Sequence, residues 1–231
     1  MARAGNEGER VYQELRGLIV SGELRGGEVV NQVEVAARLG TSRAVLHTAV
    51  ARLVSERMLT PMARKGVRVA KVTIRELLEI NQLRWLLEGF AARMATTHLP
   101  DGALADLRRE VDTLAVAEHL EPEEVEAVDG TLHELVATHC GNERMRVLIR
   151  QLDAEMSIAR HGDVRESPAS MVASISAIVA AFEARDTDAA EREVRVHIDM
   201  FAHRIAGLLP GSHIASTMSG AAPEAAGSGE R

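Results

Sequence analysis

Asp129 and His133 lie four residues apart, a spacing that puts two side chains on one face of a helix. A carboxylate oxygen and an imidazole nitrogen so placed can ligate one divalent cation. Both flank an apolar stripe, Val125, Val128, Leu132 and Leu135, and so point partly inward. His197 sits within a second stripe, Val194, Ile198, Phe201, Ile205 and Leu208, that must face a core. Brought together, the three offer two nitrogens and an oxygen to a metal; kept apart, each histidine is a hydrogen-bonded core residue. A hydrolytic enzyme built on Asp129, His133 and His197 would need a general base beside its metal-bound water. The nearby candidates, Glu134 and His139, lie on other helix faces, which argues against an enzyme. Arg84 can grip a carboxylate ligand bidentately, or it can pair with Glu88 one helical turn on. The remaining histidines (His98, His119, His139, His161, His203 and His213) read as surface or loop residues, and Cys140 as a structural thiol.

A second group of residues suits a different chemistry. In 40-GTSRAVLHTAV-50, Thr41 or Ser42 can cap a helix whose inner stripe is Leu46, Ala49, Val50 and Leu53. Arg43, Ala44, His47, Thr48 and Ala51 are left on the outer face. An arginine in the first turn of such a helix can reach guanine edges in a DNA major groove. The stretch LTPMARKGVRVA reads as two short strands around a turn with Gly66, and its Arg64, Lys65 and Arg68 suit backbone phosphates.

The elements that must position these residues follow from periodicity. Val11, Leu15, Leu18 and Ile19 form a helical stripe that stops at Ser21-Gly22. After a Gly26-Gly27 turn, Asn31 and Glu34 have capping-box spacing ahead of a short helix, about 32–39, that should bury Val33, Ala36 and Leu39. Helix, helix, helix and hairpin are the order of a winged helix-turn-helix. From residue 74 the pattern is wholly helical, with segments near 74–97, 102–118, 122–139, 142–160, 168–184 and 187–208. The expected chain is therefore mainly α: a flexible N-terminus (1–9), a winged helix-turn-helix DNA-binding domain (10–71), an all-α six-helix bundle for effector binding and dimerisation (72–209), and a disordered tail (210–231) rich in Gly, Ala and Ser.

Charge divides at the same boundary. Residues 1–73 hold 12 Lys and Arg against 7 Asp and Glu, a net of +5, whereas the remainder holds 15 against 27, a net of −12. A basic domain attached to an acidic one suggests nucleic acid at one end. A single cysteine forbids an intrachain disulfide, and no stretch approaches the roughly 18 apolar residues of a membrane span, so a cytoplasmic location is expected.

The segment VYQELRGLIVSGELRGGEVVNQVEVAARLGTSRAVLHTAVARL, followed by KGVRV, resembles the winged helix-turn-helix of GntR-family regulators. It keeps that family's Ser21-Gly22, Leu24, Gly27, Ala36, Leu39-Gly40, Ser42-Arg43 and Ala49. The family's Pro-Val-Arg is Val45-Leu46-His47 here, so one recognition-helix arginine is replaced by a shorter, mostly neutral histidine. ELLEINQLRWLLEGFAARMA resembles the opening of the FCD ligand-binding domain of the FadR subfamily, matching at Arg84, Leu87, Glu88 and Ala91-Ala92. Six helices resemble its shorter, VanR-type branch. The resemblance implies a dimeric regulator, most often a repressor, that binds a palindromic operator and releases it on binding a small, carboxylate-like effector at Arg84. It also implies a divalent metal, Zn²⁺ or Ni²⁺, held by Asp129, His133, His197 and a further histidine whose position is Ile175 here. Two states then remain open: three protein ligands completed by water or effector oxygen, or an effector that takes the place of the metal. A DNA-binding protein without an effector is the remaining alternative, and a helical domain of about 140 residues is more chain than dimerisation needs.

Overall fold

A computed structural model describes residues 2–63, 66–159 and 167–208. The phosphate candidates Arg64 and Lys65, the loop residue His161, and the 210–231 tail with His213 lie outside the described residues. Helix α1 (Ala2–Val20) buries Val11, Leu15 and Ile19 against α3. It begins nine residues before the stripe that predicts it, so residues 2–9, expected to be flexible, are helical. Side-chain pairing supports the extension: Gln13 donates to Glu9 at 2.8 Å, and Glu7 and Glu9 are each engaged by the neighbouring helix-turn-helix, through Thr41 at 3.0 Å and Arg52 at 2.8 Å.

Helix α2 (Gln32–Arg38) starts at Asn31, whose side-chain oxygen accepts from the amides of Val33 and Glu34 at 3.2 and 3.3 Å. The Glu34 carboxylate accepts from the Asn31 side-chain amide instead of its backbone, so the cap is one-sided. The phase of the helix also differs from the expected one. Val35 and Ala36 are buried and Leu39 packs against the core, while Val33 is 56% exposed. Helix α3 (Arg43–Ser55) is capped by Ser42, and its Leu46, Ala49, Val50 and Leu53 face inward as the periodicity requires. Strands β2 (Leu59–Met62) and β3 (Gly66–Val69) form the wing. A two-residue strand, β1 (Val29–Val30), pairs antiparallel with β3 and makes a three-stranded sheet of order β1-β3-β2. That strand is too short to leave a periodic signal. Gly66 has a φ of +85°, a backbone conformation that costs glycine little and other residues more.

Thr73 and Glu76 close a reciprocal capping box that starts α4 (Ile74–Ala95). Five more helices follow: α5 (Asp101–Ala115), α6 (Pro122–His139), α7 (Glu143–Ala159), α8 (Pro168–Glu183) and α9 (Thr187–Leu208). Each agrees with its expected span to within three residues, and Pro122 and Pro168 open their helices where a missing amide is harmless. Helices α4 and α9 form the tightest pair, and the buried Asn81 side chain of α4 donates to the Ile198 carbonyl of α9 at 3.2 Å. Helices α4 to α9 all contribute to one apolar core, which includes Leu107, Leu132, Ile149, Ile175, Ile178 and Phe182. Cys140 is buried in that core. Helix α7 belongs to both halves of the chain, because its Ala154 and Ile158 lie in the core of the N-terminal domain.

The altered phase of α2 gives a direct test. Val35→Ala removes a side chain that is only 6% exposed and should lower unfolding free energy by about 1–3 kcal/mol in urea titration. Val33→Ala should change it by less than about 0.5 kcal/mol. Comparable losses at the two positions would contradict the observed packing.

Candidate functional site: a buried charged cluster and an exposed recognition helix

The bundle collects five ionisable side chains at its centre. Helix α4 supplies Arg84 and Glu88, α6 supplies Asp129 and His133, and α9 supplies His197, each pair being one helical turn apart. All five residues are at most 6% exposed. The donor atoms of Asp129, His133 and His197 lie within 4.8 Å of one another, so the set expected from spacing does converge. His197 Nε2 is 2.9 Å from Asp129 Oδ1, His133 Nε2 is 3.5 Å from the same oxygen, and the two imidazole rings lie 5.4 Å apart.

The other edge of each ring is held separately. His133 Nδ1 is 2.5 Å from Glu88 Oε2, and His197 Nδ1 is 2.9 Å from Ser174 Oγ on α8. A partner on Nδ1 fixes the ring and turns Nε2 toward the ligand position, the arrangement found around histidine-bound metals. Two nitrogens and an oxygen suit Zn²⁺ or Ni²⁺, so the residues present fit a three-ligand centre. Ile175, at the position of the expected further ligand, has no exposed area and belongs to the apolar core. Sequence reasoning missed Ser174, which no motif marks, and assigned Glu88 only to Arg84.

Arg84 does pair with Glu88, its Nε lying 2.5 Å from Oε1. Its Nη2 reaches His133 Nε2 at 3.0 Å and stands 3.9 Å from Asp153 of α7. One guanidinium edge is therefore committed to Glu88, and an effector carboxylate could take the other edge alone. Burial opposes charge at each of these groups, but the pairs outweigh it. Arg84 and His133 hold the Glu88 pKa down at about 2. Burial likewise depresses that of His133, and the Glu88 and Asp129 carboxylates overcome it and push the pKa up to about 9. The suggested general bases take no part. Glu134 pairs with Arg150, and His139 Nδ1 is tied to the Leu135 carbonyl at 2.9 Å.

The second site lies at the opposite end of the chain. Ser42, Arg43, His47, Gly66 and Arg68 are exposed, and Thr41 is half-buried with its hydroxyl bonded to Glu7. Ser42 Oγ accepts from the Val45 amide at 3.3 Å, which starts α3 one residue before Arg43 and projects that arginine from the first turn. Elsewhere in this domain Arg10, Arg38 and Arg52 pair with Glu14, Glu23 and Glu9. Arg43 and Arg68 have no carboxylate partner among the described residues, so their charge faces solvent.

The central cluster makes stability depend on pH in the metal-free protein. The Glu88 pKa is lower in the folded chain than in the unfolded one, so its contribution is present above pH 4.5 and fades as pH falls toward 2. The His133 pKa is higher folded than unfolded, so its contribution is full below pH 6.5 and is lost as pH rises through 9. Urea titrations should show a decline on the order of 3 kcal/mol between pH 6.5 and 9.5, much reduced in His133→Gln. An alkaline limb unchanged by that substitution would show that His133 does not cause it.

Comparison with known proteins identifies both domains. Residues 7–69 match the family described as bacterial regulatory proteins, gntR family, and residues 79–200 match the FCD domain. The Nta operon transcriptional regulator of Aminobacter aminovorans is 30% identical over 143 residues, covering 62% of this chain and 68% of that protein. The gluconate operon transcriptional repressor of Bacillus subtilis is 28% identical over 130 residues, covering 56% of this chain and 53% of that protein. The solved structure of E. coli McbR/YncC superposes with a TM-score of 0.75 at 22% identity, over 87% of this chain and 98% of that one. A GntR-type regulator from Rhodococcus sp. RHA1 gives 0.72 at 20% identity, over 90% of this chain and all of that one. At such identities the structural likeness speaks for the fold alone. A winged helix-turn-helix joined to an FCD bundle, each matched in its own right, makes this chain a member of the GntR family of transcription regulators, with an FCD domain, and not an enzyme.

Proposed function

We propose that the chain is an operator-binding repressor whose affinity for DNA is set by a small carboxylate effector held at the buried cluster. The observation that carries this reading is the convergence of Asp129, His133 and His197, with Arg84 alongside, inside a domain that is packed on the DNA-binding domain through α7. A cationic guanidinium beside a three-ligand centre suits an anionic oxygen ligand. Zn²⁺ or Ni²⁺ at Asp129, His133 and His197 would supply Lewis acidity and a position for water or an effector oxygen, with Glu88 and Ser174 orienting the two imidazoles. An effector that binds one arrangement of the two domains better than the other shifts the population between them and changes operator affinity.

Arg43, Ser42 and His47 would face the major groove, while Thr41, Gly66 and Arg68, with Arg64 and Lys65 of the same hairpin, would contact backbone phosphates. A homodimer supports this reading, since two recognition helices related by a two-fold axis match a palindromic operator. Helix α4 offers a surface for the second copy, because Leu83, Leu86 and Phe90 are each about half exposed on one face. No helix among the described residues is long and apolar enough to cross a membrane, in keeping with a cytoplasmic regulator. An effector-independent DNA-binding protein is the competing reading, and a charged cluster buried at this depth speaks against it.

Elemental analysis of protein purified without an affinity metal tests the cluster. About one Zn²⁺ or Ni²⁺ per chain should be present or taken up, and His133→Ala should hold none. An absence of metal in the unmutated chain after incubation with either ion would leave the effector alone at the site. Against an operator selected from a random DNA pool, Arg43→Ala should weaken binding by roughly 5- to 150-fold and relax the sequence preference. Equal affinity in fluorescence anisotropy would remove Arg43 from the interface.

A further inference from the structure

Asp153 is the one carboxylate of α7 that faces the buried cluster, and neither motif nor spacing singles it out. Its Oδ1 lies 3.9 Å from Arg84 Nη2, beyond hydrogen-bond distance, and its side chain keeps 27% of its exposure. The adjacent residue, Ala154, is 3% exposed and belongs to the core of the DNA-binding domain, as does Ile158 one turn further along. Within two consecutive residues, α7 therefore touches the regulatory site and the domain to be regulated.

The contacts of Arg84 show how the two are linked. Its Nη2 occupies the edge of His133 Nε2 at 3.0 Å, where the imidazole lone pair must point if that nitrogen is to bind a metal. A divalent cation and a guanidinium cannot share this position, because like charges in a poorly hydrated interior repel strongly. The Nε of Arg84 stays anchored on Glu88 at 2.5 Å, so the mobile part is the distal fork of the guanidinium. Besides Glu88 and the metal-ligand set, the acid among the described residues that lies within 4 Å of that fork is Asp153.

We propose that Asp153 is a positioning residue that receives the Arg84 guanidinium when the cluster binds a metal, and that this contact moves α7 against the DNA-binding domain. The inference rests on the regulatory reading above and names the part of the chain that carries its signal. In this structure Arg84 Nη2 lies against His133 of α6 and stands 3.9 Å from Asp153 of α7. In the loaded protein it bridges α4 to α7 through Asp153. Displacement of the guanidinium from the imidazole edge into a charge-assisted hydrogen bond with Asp153 makes a two-position element, which coupling between distant sites requires. Because Ala154 and Ile158 are close-packed, a displacement of α7 by a fraction of an ångström cannot be absorbed without moving their partners in the N-terminal core.

Hydrogen–deuterium exchange of the full-length chain, with and without Zn²⁺, tests the assignment independently of any operator or effector. In the unmutated protein Zn²⁺ should change exchange rates roughly threefold or more both in α6 and α9 and in α7 with the helices of the DNA-binding domain. Asp153→Asn should take up the same amount of Zn²⁺ by elemental analysis and keep the change in α6 and α9, but lose it in α7 and the N-terminal domain. Asp153→Glu should restore it. Transmission that persists in Asp153→Asn would overturn the assignment, as would a chain that binds Zn²⁺ with no response in α7. A chain that takes up no Zn²⁺ would overturn it by another route, removing the metal from the proposed function while leaving DNA binding intact.

Discussion

The charge pair between Arg84 and Glu88 is the contact on which the arrangement of the bundle turns. A guanidinium and a carboxylate with almost no exposed area are costly to bury unless each is paired and its remaining polar atoms are satisfied. Here Glu88 reaches across to His133, His133 and His197 share Asp129, and Ser174 closes the far side of His197. Four helices are thereby tied at one point by groups that tolerate only a narrow range of distances. The apolar layers around this point, made of interchangeable Leu, Val, Ile and Ala, supply most of the driving force for folding but little register. The polar centre supplies the register. Removal of one member would leave its partners charged and unpaired in a dry interior, a larger penalty than the loss of any single methyl group nearby.

Much of this was legible in the sequence, for reasons that differ from element to element. The six bundle helices appear through their periodicity, because each must hide a stripe about two residues wide on every turn. Asp129 and His133 are legible as a pair because a helix brings them together without tertiary help. His197 could be placed in a core, but its meeting with Asp129 depends on how α6 and α9 pack, and spacing within one helix carries no such information. Ser174 was invisible for the same reason. The phase of α2 was misjudged because seven residues contain too few turns to choose between Val33 and Val35. Strand β1 was missed because two residues cannot show alternation. The helical start of α1 was missed because its stabilising contacts, Glu7 with Thr41 and Glu9 with Arg52, are made with residues more than thirty positions away.

The separation of charge along the chain also acquires a structural meaning. The acidic excess lies in the regulatory domain, where surface pairs such as Arg108 with Glu183 and Arg93 with Glu191 neutralise only part of the carboxylates. The basic excess lies in the domain where Arg43 and Arg68 face solvent. Beyond about a Debye length of 8 Å at physiological salt, the acidic surface has little influence on the potential at those arginines. A protein of net charge −7 can thus present a locally cationic surface to a polyanion.

The participation of Ala154 and Ile158 in the N-terminal core has a consequence for how such proteins can be rearranged in evolution. A DNA-binding module whose interior is completed by a helix of another domain is not a freely portable part. Grafted onto a different sensor, it would expose the apolar surface that these two residues cover, unless the new sensor brought an equivalent helix. Recombination within this architecture is therefore constrained to exchange the reading head together with the seventh helix, or to re-invent that seam each time. New ligand specificities are more easily reached by substitution around the buried cluster than by swapping whole sensors.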